Sequence, residues 1–274
     1  MAIGVFDSGV GGLSVWREIV RQLPHEDTLY VADQAHVPYG PRSADEIRSF
    51  CHGIAEFLIE RACKAIVVAC NTASAAALKS LRERFPGMLI LGMEPAVKPA
   101  VAITRSKVVG ILATPATFQG RLFQATAGRY ASGVTLVNQV CDGLAELVES
   151  GQLHGPEAQR MLRGFLAPVL EAGADTIVLA CTHYPFVIST IRHIAGPRVN
   201  VIDPAPAIAR HLGDVLDARG ISAYRDSVGT HRFHTTGDAR AFESLLVNLV
   251  QVASPVSALQ WYGRHLAHKP RVIA

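Results

Sequence analysis

Ala65-Ile66-Val67-Val68-Ala69-Cys70-Asn71-Thr72 and Thr176-Ile177-Val178-Leu179-Ala180-Cys181-Thr182-His183 decide the fold. Each is a short apolar run without polar alternation that ends on cysteine, a pattern that predicts strands buried on both faces. Similar runs lie at residues 3–6, 28–32, 89–92, 108–112 and 199–202. Segments of helical period separate them, for example 43–62, 73–84, 156–172 and 206–219. Strand alternating with helix predicts an α/β protein with mostly parallel sheets.

The partner strands repeat as well. Gly4-Val5-Phe6-Asp7-Ser8 and Gly110-Ile111-Leu112-Ala113-Thr114 precede the two cysteines by comparable distances, so two similar α/β lobes are expected. Met93-Glu94-Pro95 and Ile202-Asp203-Pro204 suit the crossings, because proline disfavours helix in the residue before it. The first lobe is then 1–95 plus 204–274 and the second 96–203, with a strand at 256–262 returning to the first.

Composition narrows the class. Of 274 residues, 49% are apolar and 18% charged, which excludes a disordered chain. Lys plus Arg is 26 against Asp plus Glu 23, a net charge of +3 with no block of like sign, so neither nucleic acid nor a membrane surface is expected as partner. The apolar runs fall well short of the ~20 residues of a spanning helix, and the start lacks a secretory pattern; a cytoplasmic location is expected. Five cysteines without a Cys-x-x-Cys pair argue against a disulfide framework.

In an open parallel sheet, ligands sit beyond the carboxyl ends of the strands. Asp7-Ser8, Asp33, Cys70-Asn71-Thr72, Thr114 and Cys181-Thr182-His183 all occupy such ends. A free cysteine is ordinarily a small apolar filler, and Cys51, Cys63 and Cys141, which lack a repeated context, are read that way. The duplicated setting of Cys70 and Cys181 suggests more. A helix amino end lowers a thiol pKa from about 8.5, and two thiols facing one another suit inversion at a carbon acid. One thiolate removes a proton from one face while the other thiol delivers one to the opposite face. With each sulfur ~3.5 Å from the reacting carbon, the pair would stand roughly 7 Å apart.

Asn71, Thr72 and Thr182 read as helix caps that can also hold a carboxylate. The turn Asp7-Ser8-Gly9-Val10-Gly11-Gly12 lacks both Gly-x-Gly-x-x-Gly and Gly-Lys-Ser/Thr, and Asp7 would repel phosphate. It suits a substrate ammonium group or the tuning of a neighbouring acid or base. His183 either assists the second thiol or only hydrogen-bonds in the cleft. Tyr39-Gly40 is a turn that either lines the site or lies on the surface. Glu94 caps a helix or faces the cleft. His231 with His234 and His265 with His268 lack an acidic or thiol partner nearby, so no metal is expected. Lys64, Lys79, Lys98, Lys107 and Lys269 stand outside every constellation, which argues against pyridoxal phosphate.

Phe6-Asp7-Ser8-Gly9-Val10-Gly11-Gly12-Leu13, Asp33-Gln34-Ala35-His36-Val37-Pro38-Tyr39-Gly40, Cys70-Asn71-Thr72-Ala73 and Cys181-Thr182-His183-Tyr184-Pro185 resemble the signature blocks of the bacterial glutamate racemase family. The resemblance implies two pseudo-twofold-related α/β lobes with the site in the cleft between them. It also implies cofactor-independent interconversion of L- and D-glutamate, supplying the D-isomer for peptidoglycan. Cys70 and Cys181 would transfer protons, assisted by Asp7 and His183. Asp7, Ser8, Tyr39, Gly40, Asn71, Thr72, Thr182 and His183 would contact substrate, as would Thr114 and Thr117. Oligomeric state differs within the family, and a homodimer is left open.

Overall fold

The computed structural model describes residues 1–224 and 226–269. Among them the strands are β1 (Ile3–Asp7), β2 (Thr28–Ala32), β3 (Ala65–Val68), β4 (Leu89–Gly92), β5 (Val108–Ala113), β6 (Thr135–Val140), β7 (Thr176–Leu179), β8 (Asn200–Ile202), β9 (His231–Thr235), β10 (Val256–Tyr262) and β11 (His265–His268). They form two sheets, ordered β11-β10-β9-β2-β1-β3-β4 and β6-β5-β7-β8. Every pairing is parallel except β10 with β11. The α/β class with parallel sheets is therefore as expected.

The strand order carries the internal repeat. β2-β1-β3-β4 in the larger sheet and β6-β5-β7-β8 in the smaller both run second, first, third, fourth. Phe6 pairs with Val68, and Leu112 pairs with Leu179. Two residues further on, Ser8 and Cys70 leave the first sheet at the level where Thr114 and Cys181 leave the second. Strands β9 to β11 extend the larger sheet beyond β2, and β10 is the returning strand expected at 256–262.

Side chains alternate across the central strands as the pleat requires. Val5, Tyr30 and Val67 of the larger sheet share one buried cluster with Leu112, Ile177 and Leu179 of the smaller. Phe6, Ile66 and Val68 face an outer cluster with helix Ala44–Glu60, and Ile111, Val178 and Ala180 face another with helix Val97–Ile103. Both faces of the cysteine-ended strands are dry, which is why those runs show no polar alternation. Each such side chain contributes about 1.5–3 kcal/mol when fully buried. Cys51 and Cys63 pack in the outer cluster of the larger sheet as filler, and all five cysteines are free.

Three strands go unread in the sequence, β6, β9 and the short β11 that pairs with β10. In β6 the residues are only partly covered, and in β9, His-Arg-Phe-His-Thr, the one large apolar residue is Phe233. Glu94 is exposed and precedes Ala96, the residue that opens helix Val97–Ile103, so the expected capping role is not the one it fills. No helix among the described residues is long and apolar enough to cross a membrane.

Candidate active site

The glycine turn after β1 is where the two sheets meet. Asp7 is fully buried; its Oδ1 accepts the Gly9 amide at 2.9 Å and its Oδ2 accepts the Thr182 hydroxyl at 3.0 Å. Ser14 donates its hydroxyl to the Thr182 carbonyl at 2.8 Å. A Cβ at Gly11 would come within 2.5 Å of both His183 Nδ1 and Thr182 Oγ1, and one at Gly12 within 2.7 Å of the Tyr30 hydroxyl. Gly9 is closed in the same way by the Glu149 carboxylate. Gly9 and Gly11 let side chains from beyond the second sheet touch the backbone of the first, and Gly12 makes room for Tyr30 of the first sheet itself, a different use from cradling a phosphate.

Cys70 and Cys181 follow β3 and β7 and keep slight exposure, 6% and 8%. The Cys70 thiol points at the Ser8 hydroxyl, 3.8 Å away, and Ser8 in turn hydrogen-bonds Asp7. Cys181 Sγ lies 3.6 Å from His183 Nδ1. Cys70, Ser8, Asp7 and Thr182 thus form one buried hydrogen-bonded chain, and Cys181 with His183, the residues on either side of Thr182, forms a second.

Two local expectations are corrected. Cys70, rather than Asn71 or Thr72, caps helix Asn71–Arg84, its sulfur accepting the Ala73 amide at 3.4 Å. Thr182 caps no helix, since its hydroxyl is committed to Asp7 and the chain continues into a 3₁₀ turn at Tyr184–Val187. The helix start also fails to lower the Cys70 thiol. Burial pushes it up, and the charge of Asp7 and then of Cys181 push it further, outweighing the amide.

Glu149 was not anticipated. It ends helix Leu144–Glu149 and accepts the Val10 amide at 2.7 Å, the His183 Nε2 at 2.7 Å and the Gln34 amide at 3.1 Å. Gln34 is held from behind by the Thr235 hydroxyl at 2.8 Å. Burial opposes ionisation of both partners, yet their contact prevails. The Glu149 carboxyl is held below its usual range by His183, and the His183 imidazole is raised well above its own by Cys181 and Glu149. The raised affinity favours the imidazolium, in which Nδ1 would present its proton to the Cys181 sulfur. Burial raises the Asp7 carboxyl, with His183 opposing.

A second group of predicted residues forms a hydroxyl chain. Thr72 and Thr114 are 3.1 Å apart, as are Thr114 and Thr117, so the chain joins the helix after β3 to the loop after β5. Both amide atoms of Asn71 are buried without a partner. Gly40 stands beside Thr114, and both line a cavity of about 440 Å³ together with Cys141. Tyr39 turns away from this group: its ring is buried and its hydroxyl donates to Asp33 at 2.7 Å. Asp33 also accepts from His36, Thr236 and Trp261 at 2.9, 2.9 and 2.8 Å. It is a saturated hub beneath the 34–42 loop, with no oxygen left for a ligand.

The histidine pairs have other partners. His231 contacts the Thr28 hydroxyl at 3.0 Å and packs edge-on against Trp16, while the rings of His234 and His268 sit 5.3 Å apart beside Phe57. Among the described residues no group of three or more His, Cys, Asp or Glu side chains could hold a metal ion.

Residues 3–212 match the Asp/Glu/Hydantoin racemase family. The chain belongs to that family. It is 50% identical over 248 residues to a glutamate racemase of Roseiflexus sp. (strain RS-1), covering 90% of this chain and 91% of that one. The glutamate racemase of Pseudomonas aeruginosa (strain UCBPP-PA14) is 50% identical over 245 residues, with 89% and 92% covered. Among solved structures, a glutamate racemase isoform from Bacillus anthracis superposes with a TM-score of 0.87 at 35% identity, covering 94% of this chain and 96% of that one. The Francisella tularensis glutamate racemase in complex with D-glutamate gives 0.82 at 28% identity, with 94% and 96% covered.

Proposed function

We propose that this chain is a glutamate racemase that interconverts L- and D-glutamate by transfer between Cys70 and Cys181, with no cofactor, in the cytoplasm, supplying the D-isomer for peptidoglycan. The carrying observation is the pair of cysteines that end equivalent strands of two sheets sharing a four-strand order, with Ser8 and Asp7 beside Cys70 hydrogen-bonded across to Thr182, the residue next to Cys181. The reading is further supported by relatives of 50% identity that are glutamate racemases. Residues 1–95 with 204–274, and 96–203, are proposed as the two lobes, with the site in the cleft they share.

In this mechanism one sulfur, as thiolate, removes the α-proton, and the electron pair passes into the substrate carboxylate as an enolate. The other thiol then gives its proton to the opposite face, leaving the inverted amino acid and a new thiolate. The imidazolium of His183 steadies negative charge on Cys181, and Asp7 links the surroundings of the two thiols. Asn71, whose amide has no protein partner, and the Thr72, Thr114 and Thr117 hydroxyls suit the substrate carboxylates, with Ser8, Gly40 and the backbone at Tyr39 and Thr182 completing the lining. All the acid–base groups this chemistry needs are side chains of the protein.

The test is purified protein, free of pyridoxal phosphate, given D-glutamate or D-aspartate in heavy water. Glutamate inverts and gains deuterium at the α-carbon, and Cys70→Ser and Cys181→Ser each abolish racemisation. Turnover that survives both substitutions together defeats the assignment.

A further inference from the structure

Tyr184 opens the 3₁₀ turn after Cys181, and its backbone amide donates to the Cys181 carbonyl at 3.2 Å. Its side chain is fully buried in the cluster shared by the two sheets. The hydroxyl has no hydrogen-bond partner of good geometry, although it is shut off from solvent. The groups it faces are two thiols, those of Cys181 and Cys141. A hydroxyl left in that state is costly in a protein interior, so an unmet one calls for an explanation.

We propose that Tyr184 is a positioning residue for Cys181, its hydroxyl serving as the hydrogen-bond donor that receives the sulfur when it carries negative charge. Cys141 lies within reach of the hydroxyl as well and is touched by it, but it holds the hydroxyl weakly. Its own S–H is directed at the Gln139 carbonyl, 3.8 Å away, and burial keeps it a neutral thiol, a weak acceptor. A thiolate at Cys181 is a strong acceptor, because hydrogen bonds to an ionised group are about twice as strong as neutral ones. Burial also keeps the phenol protonated, so it donates rather than repels.

The topology explains why the residue is needed. Cys70 is followed at once by a helix and takes the Ala73 amide on its sulfur at 3.4 Å. Cys181, its counterpart in the second sheet, is followed by a turn and receives no such amide. The His183 ring at 3.6 Å supplies one donor, and the Tyr184 hydroxyl supplies the second.

The inference rests on Cys181 being a proton-transfer thiol, and its test is read without turnover so that the two claims separate. The probe is iodoacetamide at neutral pH, with each cysteine's alkylation rate resolved by peptide mass, on wild type and Tyr184→Phe. Phenylalanine keeps the ring and removes only the donor. Loss of a hydrogen bond to a charged group predicts that Cys181 alkylation slows about tenfold, while Cys70 stays within about twofold, the size of context effects at a distance. In the racemase assay kcat falls and KM does not. Equal slowing of both cysteines signals a loosened core and overturns the proposal, as does an unchanged Cys181. Selective slowing in a protein that does not racemise glutamate upholds the hydrogen bond and counts against the proposed function alone. Should Tyr184→Phe fail to fold, 3-fluorotyrosine at position 184, a stronger donor of nearly the same size, is expected to speed Cys181 alkylation, and no change there refutes the role.

Discussion

The Nε2 atom of His183 lies 2.7 Å from Oε1 of Glu149, and that same oxygen accepts the amide of Val10 at 2.7 Å. One carboxylate therefore fastens the end of the second sheet to the glycine turn of the first, and holds the imidazolium that faces Cys181. The sign of its pH dependence follows. His183 has a raised proton affinity, so its contribution is complete below the ordinary histidine value of about 6.5 and is lost as pH rises through the raised one. Glu149 is lowered, so its contribution is complete above about 4.3 and is lost as pH falls through the lowered value. Glu149→Gln should cost about 3–5 kcal/mol near neutral pH, with the difference from wild type shrinking under acid. Denaturant titrations at the two pH values measure it. In activity, the alkaline limb of kcat/KM should move to lower pH, because the variant holds the His183 proton less firmly.

Gly11 tests the close approach of the two sheets. Its ordinary backbone accepts alanine, but the added Cβ would meet His183 Nδ1 and Thr182 Oγ1 at 2.5 Å. Gly11→Ala should fold, with an unchanged circular-dichroism spectrum, and lose about a hundredfold in kcat, the typical cost of misplacing a reacting group by about 1 Å.

Asp33 tests the hub. Asp33→Ala strands the Tyr39 hydroxyl, the Trp261 ring N–H and the Thr236 hydroxyl. At about 1–3 kcal/mol for each buried group left unpaired, the variant should melt well below wild type and expose the 34–42 loop to limited proteolysis first. Asp33→Asn, which keeps an acceptor, should lose less.

Asn71 tests the opposite balance. Its amide is buried and unpartnered, so Asn71→Ala removes a burden from the folded protein. Thermal stability should hold or rise while KM for glutamate increases about tenfold or more, the worth of a hydrogen bond to a charged ligand. A variant that melts earlier with KM unchanged would assign Asn71 to the scaffold.

Much of the architecture can be read from residues that have no choice. The runs ending at Cys70 and Cys181 are apolar on both faces because helices cover both sides of β3 and β7, and continuous apolarity is legible. β9 is hidden because its place between β2 and β10 is supplied by the remote chain end, and His231, Arg232 and His234 carry no strand signal of their own. The site divides the same way. Asp7, Ser8, Cys70, Thr182 and His183 stand at strand ends, where a parallel sheet presents its ligand groups. Glu149 comes from the end of a helix and reaches Val10 across 139 residues, so nothing local distinguishes it from any other surface glutamate. The inverted expectation for the Cys70 thiol has a physical cause: the helix start is visible in sequence, but the burial that overrides it is not.

The unequal dressing of the two sulfurs, an amide and a serine on one and an imidazole and a phenol on the other, has a consequence for the proposed reaction. Mirror-image amino acids have equal free energies in water, so kcat/KM must be the same in both directions however the protein is built. Any preference of the resting enzyme for protonating Cys70 over Cys181 must therefore surface as a matched trade, with one enantiomer turned over faster and bound more loosely in the same proportion.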